Sequence, residues 1–243
     1  MSSLRKYLTT RQNGKPCCPN EPEKHCVTEY RRKKEIVYVC YSEWLPNLRI
    51  LLPHVPDNIL LDYVRRAAIE FAVKTKILTR NIELITQENV GDYWPCLGTQ
   101  ERIDRVRLLS VNGDCYQPVG DTCTWQVGSA RYWFHPPNSL EIHRAPNECS
   151  KVILTVEAVP EEDSTHVDKL IHDRYFDAIL NHAAANASLV PPMDDSDNVA
   201  PLNPSVFQLR MRTFMNAVTR AKIDIRKNYS AQVQTWGGAC GNL

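Results

Sequence analysis

The chain has 243 residues, 43% of them hydrophobic and 23% charged, with a net charge of +1. That length supports one large domain or two modest ones, with a core that needs neither metals nor disulfides. The composition excludes a wholly disordered chain. The balanced charge excludes a whole-chain nucleic-acid binder. Apolar runs no longer than 36–41 exclude a membrane-spanning helix, which needs about 20 apolar residues.

Residues 1–34 hold nine Lys/Arg against three Glu, a net of +6 that leaves −5 for the remainder. Asn13, Gly14, Pro16, Pro19 and Pro22 break any hydrophobic period there, so the stretch reads as an extended basic arm. Its cationic peak, Arg31-Arg32-Lys33-Lys34, suits a solvated face, a DNA backbone or an acidic neighbour. No apolar leader opens the chain, so the expected compartment is the cytoplasm or a particle assembled there. Cys17, Cys18, His25, Cys26 and Cys40 offer ligand types that suit tetrahedral zinc. Their spacing, C-C-x7-C-x13-C, is not a pair of C-x2-C knuckles, and no metal is expected. The nine cysteines are odd in number and read as free thiols; Cys96, Cys115, Cys123 and Cys149 read as small buried residues in strands.

Residues 35–41 are β-branched and aromatic and predict a strand, one able to pair beyond its own domain. A helix follows Pro56, with Asp57 as N-cap, an apolar stripe at Leu60, Val64, Ala67, Ala68 and Phe71, and an end near 78–80. The period then shortens. Residues 82–86, 103–109, 130–134, 140–143 and 152–158 predict strands, separated by turns such as Asn112-Gly113-Asp114 and 135–138. Helical spacing returns at Thr165, where Thr165 and Asp168 fit a capping signature. Ile171, Tyr175, Ile179 and His182 share one face of that helix, with His182 as a packed core residue. His166, His172 and His182 are spaced six and ten apart and make no i, i+4 metal pair. Residues 190–204 are too rich in proline for a helix. The last helix has Asn203 as N-cap and Pro204 at its first position. Its stripe is Phe207, Met211, Phe214, Val218, Ala221 and Ile225, surrounded by arginine and lysine, and it ends near 228 in an exposed tail.

The expected fold is α+β: an antiparallel α-helical bundle with an inserted small antiparallel β-sandwich or barrel, and extended N- and C-terminal arms. The bounds are a basic arm with a strand at 1–43, the bundle at 44–81 and 161–229, the β-domain at 82–160 and a tail at 230–243. No two of the nine glycines lie two or five residues apart, so the backbone cradles for dinucleotides and triphosphates are absent. No G-x-S-x-G elbow and no H-E-x-x-H helix occurs. The chain is therefore expected to hold no cofactor and no catalytic residue. A third reading is a cysteine hydrolase, with Cys96 or Cys149 as nucleophile and His135 or His143 as base.

Three segments share an order. The first runs Trp44-Leu-Pro-Asn-Leu-Arg-Ile-Leu-Leu-Pro-His-Val-Pro-Asp57, then Ile59-Leu-Leu-Asp-Tyr-Val-Arg-Arg-Ala-Ala-Ile-Glu-Phe71, then 79–85. The second is 103–113, and the third is the closing helix pair at 168–171 and 204–221. This order resembles the head-to-tail adaptor proteins of short-tailed bacteriophages, the tail tubular protein A family, over most of 44–228. The pattern has no counterpart of 1–43.

The resemblance implies a structural protein of the virion, built in the host cytoplasm and placed at the head–tail junction. It implies a homo-oligomeric ring of twelve copies under the portal protein, with the tail nozzle below and tail fibres or appendages outside. DNA passes through the lumen unread, and no membrane is involved. It points to Arg226, Lys227, Tyr229, Gln232, Gln234 and Trp236 as portal-binding residues. Arg31, Arg32, Tyr38, Tyr41 and Arg220 are the candidate subunit contacts, Arg220 against the acidic Asp194, Asp195 and Asp197 of a neighbour. The alternative is a nucleic-acid-binding module that uses the basic arm, with Tyr30, Tyr38 and Tyr41 for stacking.

Overall fold

A computed structural model describes residues 36–88, 90–119, 131–143, 149–189 and 203–235, the stretch 228–235 as backbone alone. The elements in chain order are β1 (Tyr38–Cys40), a 3-10 turn (Tyr41–Trp44), α1 (Leu45–Leu51), α2 (Asp57–Thr75), β2 (Thr79–Ile85), β3 (Asp92–Tyr93) and β4 (Glu101–Val111). Then come β5 (Asp114–Pro118), β6 (Arg131–His135), β7 (Ser139–His143), β8 (Lys151–Pro160), β9 (His166–Asp168), α3 (Lys169–Ala187) and α4 (Pro204–Thr235). They divide into two compact units, one of Leu78–Ala158 and one of Lys34–Ile77 with Val159–Ala231.

The first unit corrects the expected fold. It is one curled seven-stranded sheet in the order β2-β8-β4-β5-β6-β7-β3, and the chain is α+β dominated by that sheet, not a helical bundle carrying a small sandwich. A sandwich needs two sheets face to face. Here every strand finds hydrogen-bonded neighbours in a single ladder, because β8 lies between β2 and β4. Period-two alternation sets its faces. Ile82 and Leu84 of β2 pair with Leu154 and Val152 of β8, and all four are buried. In β4 the buried positions fall at Glu101, Ile103, Val106, Leu109 and Val111, so the alternation resets twice along the strand.

Thr86 extends the β2–β8 ladder by one rung: its amide donates to the Ser150 carbonyl at 2.8 Å, and Ser150 N donates to Thr86 Oγ1 at 2.9 Å. The sheet is not wholly antiparallel, since β5 and β6 run parallel through Gln117–Arg131 and Pro118–Tyr132.

The β4–β5 hairpin turns on Asn112 and Gly113, at φ 51° and 96°, the positive pair that a two-residue turn demands. A Cβ at Gly113 meets nothing within 4 Å, so only the backbone resists substitution. Gly113→Ala is expected to cost about 1 kcal/mol, read as a lowered urea midpoint with an unchanged slope.

The second unit joins the β1–β9 ribbon to the helices. β1 pairs antiparallel with β9, Tyr38 opposite Asp168 and Cys40 opposite His166. The strand expected at 35–41 is therefore shorter, and its partner lies within its own unit. Asp168 is the true N-cap of α3: its Oδ1 accepts from Leu170 N at 2.7 Å. The expected capping signature at Thr165 instead lies in the lead-in to β9. Asp57 is not the N-cap of α2. Pro56 occupies that position, and Asp57 pairs with Arg49, whose Nε donates to Oδ1 at 2.9 Å. That contact holds the Asp57 carboxyl below its ordinary range. Lys76, left-handed at φ 59°, stops α2 at Thr75, earlier than expected.

Trp44 centres this unit. It is fully buried, its indole N–H donates to the Phe176 carbonyl at 3.1 Å, and its ring stacks on Phe176 at 5.1 Å. The His172 ring meets it edge-on, also at 5.1 Å. α2 and α3 pack together through Phe71 and Tyr175, ring centroids 4.6 Å apart.

Candidate assembly surface

The longest element is α4, whose 32 residues span about 48 Å at 1.5 Å per residue. Its start follows from the sequence: Pro204 opens it, and Asn203 Oδ1 accepts from Ser205 N at 3.0 Å. Its end does not. The helix continues through Thr235, so the tail expected from 230 is helical over its first residues. Of the expected stripe, Phe214, Val218 and Ala221 are buried, whereas Phe207, Met211 and Ile225 are half-buried. Phe214 seats the helix, its ring centroid 6.0 Å from that of Phe71 and 4.3 Å from that of His182. Burial pushes the Tyr175 phenol up, and Asp224 of α4 pushes it the same way.

The outward surface of α4 mixes apolar and cationic side chains. Val206, Leu209, Met215 and Ile223 are exposed, Leu209 most of all at 66%. Arg212, Arg220, Lys222, Arg226 and Lys227 are exposed beside them, with Asp224 as the exposed acid. Large apolar groups held in water on a helix, with a mainly cationic rim, are features of an association surface. The helical stripe that predicted the buried face left these four residues unassigned. The signal that finds them is their placement off that stripe on the helical wheel.

The candidate residues separate. Arg226, Lys227 and Arg220 share the exposed surface of α4. Tyr229, Gln232 and Gln234 lie on its last turns, of which only the backbone is described. Trp236, Arg31 and Arg32 lie outside the described residues, as do Tyr30, Asp194, Asp195 and Asp197. Tyr38 is half-buried in β1. Tyr41 is corrected: it is 3% exposed, with its hydroxyl 3.3 Å from Ser164 Oγ and its ring 6.3 Å from Trp44. Its ring is core, because the 3-10 turn carries it inward, and it offers nothing to a neighbour or to a nucleobase.

Cys17, Cys18, His25 and Cys26 lie outside the described residues, and Cys40 is half-buried in β1. Among the described residues no group of three His, Cys, Asp or Glu is placed to hold a metal. Cys149 is exposed and Cys96 half-buried, whereas Cys115 of β5 is disulfide-bonded, which corrects its reading as a free thiol. His135 and His143 stand at opposite ends of the β6–β7 pairing, across from Ser139 and Arg131. His182 is buried, as expected of a core histidine. Among the described residues no helix is long and apolar enough to cross a membrane.

No protein-family model matches this chain, and no curated protein matches it.

Proposed function

We propose that this chain is a structural adaptor of the phage head-to-tail kind, a ring subunit that joins a portal to a tail nozzle while DNA passes through its lumen. On this reading it does no covalent chemistry; its work is association. The order of segments over 44–228 supports the family, and the curled sheet in place of a sandwich revises only the fold expected of it. The observation that carries the reading is α4, a helix of about 48 Å with three buried residues among those whose side chains are described, and with exposed apolar and cationic side chains along it. A helix so made needs a partner to cover it. A ring interface is heterologous, so one surface of α4 and a different surface of the next copy would meet.

The test is mass by light scattering, alone and with the cognate portal. The expected result is a rise by many adaptor copies when the portal is present. The pair Arg226→Glu and Lys227→Glu is expected to weaken portal binding at least about tenfold, or 1.4 kcal/mol. A chain that stays monomeric with the portal yet shifts DNA in a gel overturns the adaptor and supports a nucleic-acid-binding module.

A further inference from the structure

α4 is held by few side chains. Among its described residues only Phe214, Val218 and Ala221 are buried, and Phe214 is the largest of them. The Phe214 ring rests on His182 of α3, centroids 4.3 Å apart. The same imidazole reaches α2, with Nε2 3.0 Å from Glu70 Oε2. One side chain, its surface 7% exposed, thus ties three helices together at the point where α4 is seated.

We infer that His182 is a proton-operated latch: its neutral ring seats Phe214, and its protonation loosens α4 from α2 and α3. The charged groups that face it are Glu70 and Lys74, both on α2, and these two also pair with each other at 3.4 Å. From its own helix comes Asn186, whose Nδ2 lies 3.3 Å from Nδ1; from α4 comes the Phe214 ring. Glu70 favours a charged imidazole. However, its carboxylate is 40% exposed and shared with Lys74, so it compensates incompletely for the water lost on burial. Burial dominates, and it holds the imidazole below its ordinary range.

The sign follows. With α4 undocked, His182 meets water while Glu70 of α2 stays beside it, so its pKa rises above the docked one. The undocked state then binds more protons than the docked state. Docking is at full strength above the undocked pKa and weakens as pH falls below it.

Hydrogen exchange on the full chain tests this at pH 7.5 and 5.0, corrected for the intrinsic pH dependence of amide exchange. Protection of α4 amides over 204–227 is expected to fall about fivefold or more at the lower pH, with α2 and β8 little changed. In His182→Gln and in His182→Phe that difference is expected to vanish. The glutamine keeps a neutral polar group beside Glu70, and the phenylalanine keeps a ring under Phe214. Wild-type protection of α4 that ignores pH overturns the latch. So does a loss spread evenly over α2, β8 and α4, or a pH response that persists in both variants.

Discussion

Trp44→Ala is expected to destabilise the helical unit by about 3–5 kcal/mol, the range for deleting a buried large aromatic. Three things are lost together. The fully buried ring leaves a cavity, the stacked and edge-on contacts with Phe176 and His172 vanish, and the Phe176 carbonyl loses its indole donor. Trp44→Phe separates them. It keeps a smaller ring against Phe176 and removes one hydrogen bond, so it is expected to cost about 1–3 kcal/mol, less than the alanine variant. Urea unfolding followed by helical circular dichroism reads both. A loss under about 1 kcal/mol for the alanine variant would mean that Trp44 is not the centre of this core.

Glu101→Ala acts on the sheet. Glu101 is 2% exposed and accepts two bonds from Arg80, from Nε at 2.8 Å and from Nη2 at 2.6 Å. Arg80 lies opposite Val156 of β8, in the row of Ile82 and Leu84, so the pair reaches across the strand between β2 and β4. Removing the carboxylate takes both of these bonds from a guanidinium that is only 11% exposed. The expected cost is about 3–5 kcal/mol, as for other broken buried pairs. The paired variant Arg80→Met with Glu101→Leu is expected to recover most of it, because apolar groups of similar volume need no hydration replaced. A paired variant as unstable as Glu101→Ala alone would show that packing at these positions, not the broken ion pair, sets the cost.

Much of the element list was legible locally. Residues that repeat every three or four positions mark α2, α3 and α4, and alternation marks β2, β4, β6, β7 and β8. Such patterns arise because each element presents one face to a core. The Asn112-Gly113 turn and the Asn203-Pro204 start were legible too, because backbone geometry there admits few residue types. β3, β5 and β9 were not. β3 and β9 run to two and three residues, too short for a period to declare itself, and β5 buries none of its five residues, so it shows no alternation to read. α1 escaped for a like reason, a seven-residue helix with proline in its first turn. At the assembly surface, the cationic character of α4 was legible from its arginines and lysines. The exposed set of Val206, Leu209, Met215 and Ile223 was not, since one buried stripe accounts for the helix as an element and says nothing about the rest of its surface.

What composition and periodicity settle here is the kind and order of the long elements, with the Asn112-Gly113 turn and the Asn203-Pro204 start. These depend on neighbours within a few residues. Pairing is another matter. β8 lies between β2 and β4 although Ile82 and Leu154 are far apart along the chain, and that placement turns an expected sandwich into one curled sheet. Tyr38 and Tyr41 look alike in sequence, yet one sits half-buried in a ribbon and the other is core against Trp44 and Ser164. Glu101 and Arg80 read as ordinary charges until the sheet buries them together. Burial and partnership are properties of chain segments brought together from a distance, and a local pattern of residue types carries no record of which segments meet.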